Sequence, residues 1–300
     1  MAVEGGAGGL SSSGAGGTGG VGEGSHFRFE KVENIFMNDQ THIKLRDWLK
    51  PADVSQNQKA AEDRHHIGTG EWFEETEEFK QWKSTSPLLL WLHGISGCGK
   101  TVLSSTIIKR LRENQDIMTY FYFDTTNDQK QKLGDCLRTL ISRLVDSSSQ
   151  AASILESFWK AHSNGAEAPS NQTLLKIFIG ILSGFATPVY VVCDALDESS
   201  EVGPVLNAIS KIVDAKISNI HVFLTSRTEV THGRELFCLA TTICLKGTGV
   251  NKDIASYVDH ILATDKDFSW SKKIKIDVHN SLVNQPDPMS APGILSDTPS

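Results

Sequence analysis

Pro87 to Thr106 reads PLLLWLHGISGCGKTVLSST. The stretch predicts a short apolar strand, Leu88 to Leu92, then a glycine loop from Gly94 to Gly99, then a helix opened by Lys100 and Thr101. Gly94, Gly99, Lys100 and Thr101 satisfy G-x-x-x-x-G-K-[ST], the phosphate-binding P-loop. Its glycines let the backbone curl so that the N–H groups of Gly94, Ile95, Ser96, Gly97, Cys98 and Gly99 face inward as a nest for phosphate oxygens. The helix that follows adds the positive end of its dipole. In this pattern Lys100 reaches the β- and γ-phosphates and the Thr101 hydroxyl sits on Mg²⁺. Chance produces the pattern in roughly one chain of this length in a hundred. Strand before and helix after supply the context that confirms it, so the chain is expected to bind a nucleotide, ATP or GTP.

A second apolar run, VYVVC at Val189–Cys193, has the continuous character of a strand covered on both faces and ends in Asp194-Ala195-Leu196-Asp197-Glu198. Downstream of a P-loop, Asp194 suits the role of holding Mg²⁺, directly or through water. Asp197 and Glu198 stand where a carboxylate orients or deprotonates an attacking water. The competing reading of that pair is a solvated acidic turn. Arg227 follows a strand at the same sheet edge, where a guanidinium can stabilise γ-phosphate charge; an ordinary exposed arginine is the alternative. Cys98 is read as a small loop residue beside a helix N-terminus, with some sensitivity to alkylation. Asn251-Lys252-Asp253 is one residue short of the guanine-reading N-K-x-D, and the acidic strand end runs D-x-x-D rather than D-x-x-G, so a Ras-like GTPase is rejected. The His65-His66 pair lacks metal-ligand spacing and is read as plain surface.

Composition bounds the rest. The 300 residues carry a net charge of −7, with no basic cluster, which argues against a nucleic-acid or anionic-membrane surface. Five scattered cysteines without C-x-x-C pairs fit a reducing, cytoplasmic setting rather than a disulfide framework or a zinc site. No apolar run approaches the ~20 residues of a membrane span, and the start lacks the pattern of a secretory signal.

Along the chain, 1–25 is Gly/Ser-rich and expected to be a disordered arm. A helical segment over 26–86 leads into the NTPase. Within it the residues before Pro51 make either a packed helix or a short interaction motif, and Phe73, Phe79 and Trp82 recur at roughly helical spacing. The core is expected over 87–246, as an α/β fold with a parallel sheet covered by helices on both faces. Its helices run to about Glu113, over Leu133–Val145, Ala151–His162, Asn171–Phe185 (capped by Ser170 or Asn171) and from Pro204. Its further strands are Met118–Phe123, Ile220–Leu224 and Thr241–Leu245. A helical region begins over 247–280, and 281–300, with Asn284-Gln285-Pro286-Asp287-Pro288-Met289, is expected to be an unstructured tail.

With these residues in hand, the chain resembles the NACHT class of STAND nucleoside triphosphatases, and within it the fungal proteins with a nephrocystin-like N-terminal region, often found with ankyrin or WD repeats. The carrying residues are Asp47-Trp48-Leu49 with Pro51, Arg64, Gly68-Thr69-Gly70 with Trp72-Phe73, Phe79 and Trp82. Leu90 to Gly94, Gly97 to Ser105, the D-A-L-D-E from Asp194 to Glu198, and L-T-S-R ending at Arg227 complete the set. The resemblance implies a five-stranded sheet of the additional-strand type, with the Arg227 strand between the P-loop strand and the Asp194 strand. It implies that Gly68-Thr69-Gly70 lies near the base. It also implies a slow nucleotide-dependent switch that self-associates in signalling, with an effector protein as partner, as in fungal self/non-self recognition and cell death. Such proteins continue into helical and winged-helix parts and repeats, and no repeat period is visible here. Two alternatives stay open: a turnover P-loop ATPase, and a truncated nucleotide-binding fragment without signalling activity.

Overall fold

The computed structural model describes residues 40–66, 68–84, 88–228, 230, 239–245, 248–264 and 270–283. The expectations for the arm over 1–25, and for the tail from 284 onward, lie outside these residues. Five strands form one sheet: β1 (Leu88–His93), β2 (Ile117–Tyr122), β3 (Val189–Asp194), β4 (Ile220–Ser226) and β5 (Thr241–Cys244). Their order is β2-β3-β4-β1-β5, and every pairing is parallel. The Arg227 strand therefore lies between the P-loop strand and the Asp194 strand, as the resemblance implied. Register matters more than order here. His93 pairs with Ser226, Cys193 with Leu224, and Tyr122 with Asp194, so the carboxyl ends of four neighbouring strands finish side by side. That edge is where parallel α/β sheets bind ligands.

β3 and β4 are buried along their whole length, which is why Val189–Cys193 reads as an unbroken apolar run rather than an alternating one; in β4 the buried His221 interrupts the apolar run Ile220–Leu224. Helices cover both faces. They are α1 (residues 40–49), α2 (Ser55–Asp63), α3 (Glu71–Glu74), α4 (Glu77–Ser84), α5 (Lys100–Glu113), α6 (Leu133–Ser147), α7 (Ser149–Ala161), α8 (Asn171–Ser183), α9 (Val202–Asp214), α10 (Thr248–Thr264) and α11 (Lys272–Val283). Ser170 caps α8, its hydroxyl accepting the Thr173 N–H at 3.2 Å. α9 begins at Val202, ahead of the Pro204 start read from the sequence, so the proline sits inside the first turn, a position where its missing N–H costs nothing. Among the described residues no helix is long and apolar enough to cross a membrane.

The aromatic series before the P-loop does not form one helix. Thr76 breaks it: its hydroxyl donates to Phe73 O at 2.7 Å and accepts the Phe79 N–H at 3.3 Å, ending α3 and starting α4. The rings still converge, with Phe73–Phe79 and Phe79–Trp82 centroids 5.2 and 5.3 Å apart. Trp82 is fully buried. Its indole N–H donates to Val222 O at 2.9 Å, and its own carbonyl pairs with His221 Nδ1 at 2.5 Å. Burial pushes the His221 imidazole down from its ordinary range, so a neutral ring donating through Nδ1 fits this contact. One residue thus fastens the pre-P-loop segment to the central strand β4. Trp82→Ala should cost about 3–5 kcal/mol by cavity formation, read as a lowered urea midpoint, whereas Trp82→Phe should lose much less. Equal losses would mean that the hydrogen bond, not the packing, holds the segment.

Candidate functional site

The loop between β1 and α5 has the backbone its glycines were expected to permit. Gly97 and Gly99 lie at φ 76° and 92°, in the left-handed region that side chains resist. Gly94 is fixed by crowding instead: a Cβ there would meet Cys98 Sγ at 2.8 Å and Leu245 Cβ at 3.1 Å. The Lys100 ammonium bends back over the loop, donating to Gly94 O at 2.8 Å, Ile95 O at 2.7 Å and Cys98 Sγ at 3.6 Å. Lys100 is buried, and no described carboxylate forms a salt bridge with it. A buried cation held only by neutral acceptors above a glycine nest fits an anionic ligand.

Asp194 closes the other side. It is 1% exposed and receives three hydroxyls: Thr101 at 2.8 Å, Ser104 at 2.6 Å and Thr225 at 2.7 Å. Burial pushes its carboxyl above the usual carboxylate range, against the opposing pull of those hydroxyls and of Lys100. Thr101 and Asp194, the two residues expected to hold Mg²⁺, are therefore in direct contact. A hydroxyl and a carboxylate are hard oxygen donors of the type Mg²⁺ takes, so the residues present fit the ion. Ser104 and Thr225 went unrecognised as site residues in the sequence. Ser104 lies four residues after Lys100, hence on the same helix face, and Thr225 precedes the Ser-Arg noted for its arginine.

The residue after Asp194 explains the pattern that follows. Ala195 adopts a left-handed conformation, φ 58° and ψ 46°, where bulky or branched side chains are strained. Its N–H donates to the Thr225 hydroxyl at 2.9 Å. The chain then makes a single 3₁₀ turn, Leu196–Glu198, which sends the two adjacent acids apart. Glu198 turns toward the end of β2 and accepts the Thr125 N–H at 3.2 Å; burial raises its carboxyl above the ordinary range. Asp197 turns toward β4 and engages Arg227, with Oδ2 at 2.9 Å from Nε and Oδ1 accepting the backbone N–H at 2.8 Å.

Beside the loop opens a cavity of about 240 Å³ whose lining includes Arg64, His66, Gly70, Gly97, Val102 and Tyr257. Thr69 and Gly70 of the Gly68-Thr69-Gly70 turn thus line the same cavity as the P-loop residues Gly97 and Gly99. Asp253 holds this wall together, one oxygen accepting both the Gly70 N–H at 2.9 Å and the Trp72 indole N–H at 2.8 Å. The aspartate of the near-miss N-K-x-D therefore belongs to the site's surroundings after all, through a contact no local spacing reveals. His66, expected at the surface, is half-buried against His260, ring centroids 4.5 Å apart, because α10 packs over it.

A family model described as "Nephrocystin 3, N-terminal" matches residues 68–227. No curated protein matches this sequence. Similar solved structures include a DNA replication initiation factor (12% identity, 74% of this chain and 58% of that one, TM-score 0.41). The replication initiator DnaA bound to AMPPCP and single-stranded DNA is 10% identical over 73% of this chain and 59% of that one, TM-score 0.40. The Aeropyrum pernix ORC1 protein in complex with DNA is 14% identical over 71% and 49%, TM-score 0.36. This chain spans less than three fifths of the length of each. Two of these similar chains are described bound to DNA, which corrects one expectation: overall negative charge does not exclude a nucleic-acid partner.

The buried Asp194 carboxylate yields a stability prediction. An acid whose folded pKa is raised binds protons more tightly folded than unfolded. Stability is therefore lost as pH rises from the unfolded value through the folded one. At neutral pH the ionised form is a burden on the fold. Asp194→Asn should accordingly raise the melting temperature of nucleotide-free protein by about 2–4 °C for each kcal/mol relieved. A lowered melting temperature would mean that the three hydroxyl bonds outweigh the burial cost.

Proposed function

The chain belongs to the nephrocystin 3 N-terminal family, and from that premise we propose that it is a nucleoside triphosphate-binding switch, taking ATP or GTP with Mg²⁺ and hydrolysing it slowly. The observation that carries the reading is the pairing of a glycine nest and a buried, carboxylate-free Lys100 with the Thr101–Asp194 contact. The loop N–H groups and Lys100 would hold the phosphates; Thr101 and Asp194 would hold Mg²⁺. The ion would supply charge neutralisation to the bound phosphates. Glu198 suits the task of taking a proton from the attacking water, since its half-buried carboxyl is more basic than a fully exposed one. The cavity beside Gly70 and Tyr257 suits the base.

The finer reading is a NACHT-type STAND module whose nucleotide state governs self-association and an effector partner in signalling. Two features support it: the small residue at Ala195 in a turn that disfavours bulk, and α10 packed against the nucleotide cavity through Asp253, where it can respond to occupancy. A cytoplasmic setting is proposed with it, since the four described cysteines are free thiols.

Calorimetric titration of the full chain with ATP and with GTP, each with Mg²⁺, tests the binding claim. Lys100→Ala should abolish saturable binding; retained affinity would remove the P-loop from the account. Hydrolysis should rise with pH through the raised Glu198 value and then level off. Glu198→Gln should cost about 10²- to 10⁴-fold in rate and flatten that rise. An unchanged pH profile in the variant would assign the proton transfer elsewhere.

A further inference from the structure

Asp197 and Glu198 are adjacent acids at the end of one strand, yet their charges are disposed of differently. Glu198 accepts a single backbone N–H. Both Asp197 oxygens are committed to one residue, Arg227, through its backbone N–H and through Nε. The pair is asymmetrically placed: the Asp197 side chain is 14% exposed and that of Arg227 49%. A fixed carboxylate therefore holds the inner edge of a guanidinium whose outer edge is open.

Location gives this pair its meaning. Arg227 follows Ser226, the register partner of His93, and the Gly94 N–H donates to Ser226 O at 3.3 Å. The arginine thus leaves the sheet beside the first residue of the phosphate loop. The Asp197 turn is pinned from the same side, because the Thr225 hydroxyl bonds both Asp194 and the Ala195 N–H. Guanidinium groups bind carboxylate and phosphate with the same planar fork, so an arginine poised between the two can exchange one for the other without ever losing its counter-charge.

We propose that Asp197 is a positioning residue that parks Arg227, and that the terminal phosphate of a bound nucleoside triphosphate competes with Asp197 for the guanidinium. This ion-pair exchange lets the site tell triphosphate from diphosphate. The proposal rests on the nucleotide-binding reading and assigns Asp197 to Arg227 rather than to the attacking water. The divergence of the two acids about Ala195 leaves Glu198 alone facing the β2 side.

The test measures the affinity ratio of a non-hydrolysable triphosphate to a diphosphate, with Mg²⁺, for the full chain and four variants. Asp197→Asn keeps an oxygen for the Arg227 N–H and removes the competing charge; it should favour triphosphate by about five- to tenfold. Arg227→Ala should lose most of the preference, and Arg227→Lys, which keeps charge without the fork, should fall between. In Arg227→Ala, adding Asp197→Asn should move the ratio less than about twofold, the signature of two residues acting as one. An equal effect of Asp197→Asn in both backgrounds would reduce it to general electrostatics and overturn the proposal. An unmoved ratio with hydrolysis abolished would overturn it too, making Asp197 a base. Wild-type protein that binds neither probe would fail at the nucleotide reading itself, and the exchange would fall with it.

Discussion

A single buried carboxylate, Asp194, ties the site together. Its hydroxyl donors come from two directions: Thr101 and Ser104 from the first turns of α5, and Thr225 from β4. The helix that follows the phosphate loop, the strand that carries the acid and the strand that delivers Arg227 are therefore cross-linked at one point. Burying a carboxylate is costly, and here three hydroxyls from two separate elements, α5 and β4, offset part of that cost. Displacement of any one of them is felt by the others.

The turn after Asp194 extends that coupling outward. A left-handed Ala195 lets consecutive acids face neighbouring strands, Glu198 toward Thr125 and Asp197 toward Arg227. With Asp253, which holds the cavity wall, they make three carboxylates with three different partners. Each is tied to a different element, β4, β2 or the pre-P-loop segment, so the state of the phosphates can be transmitted along more than one path. Such a layout suits a protein whose product is a conformation.

Much of this was legible in the sequence, and the reasons are physical. Strands covered on both faces, such as Val189–Cys193, declare themselves as unbroken apolar runs, and a phosphate nest demands glycines where the backbone turns left-handed, as at Gly97 and Gly99. Strand order was not legible from periodicity; it followed from the family resemblance. The contacts that escaped reading are those with no sequence spacing. Asp253 meets Gly70 across 183 positions, Trp82 meets Val222 across 140, and nothing in the string D-A-L-D-E tells which acid the arginine will claim. The charge argument against nucleic acid failed for another reason: net charge is a global sum, and binding is local.

Hydrogen–deuterium exchange on the full chain, with and without ATP or GTP and Mg²⁺, tests the central claim most directly. The account predicts that one nucleotide slows exchange together in 94–104, 194–199 and 225–228, the segments joined through Asp194. Protection absent from 94–101, or confined there without change at 194–199 and 225–228, would contradict it.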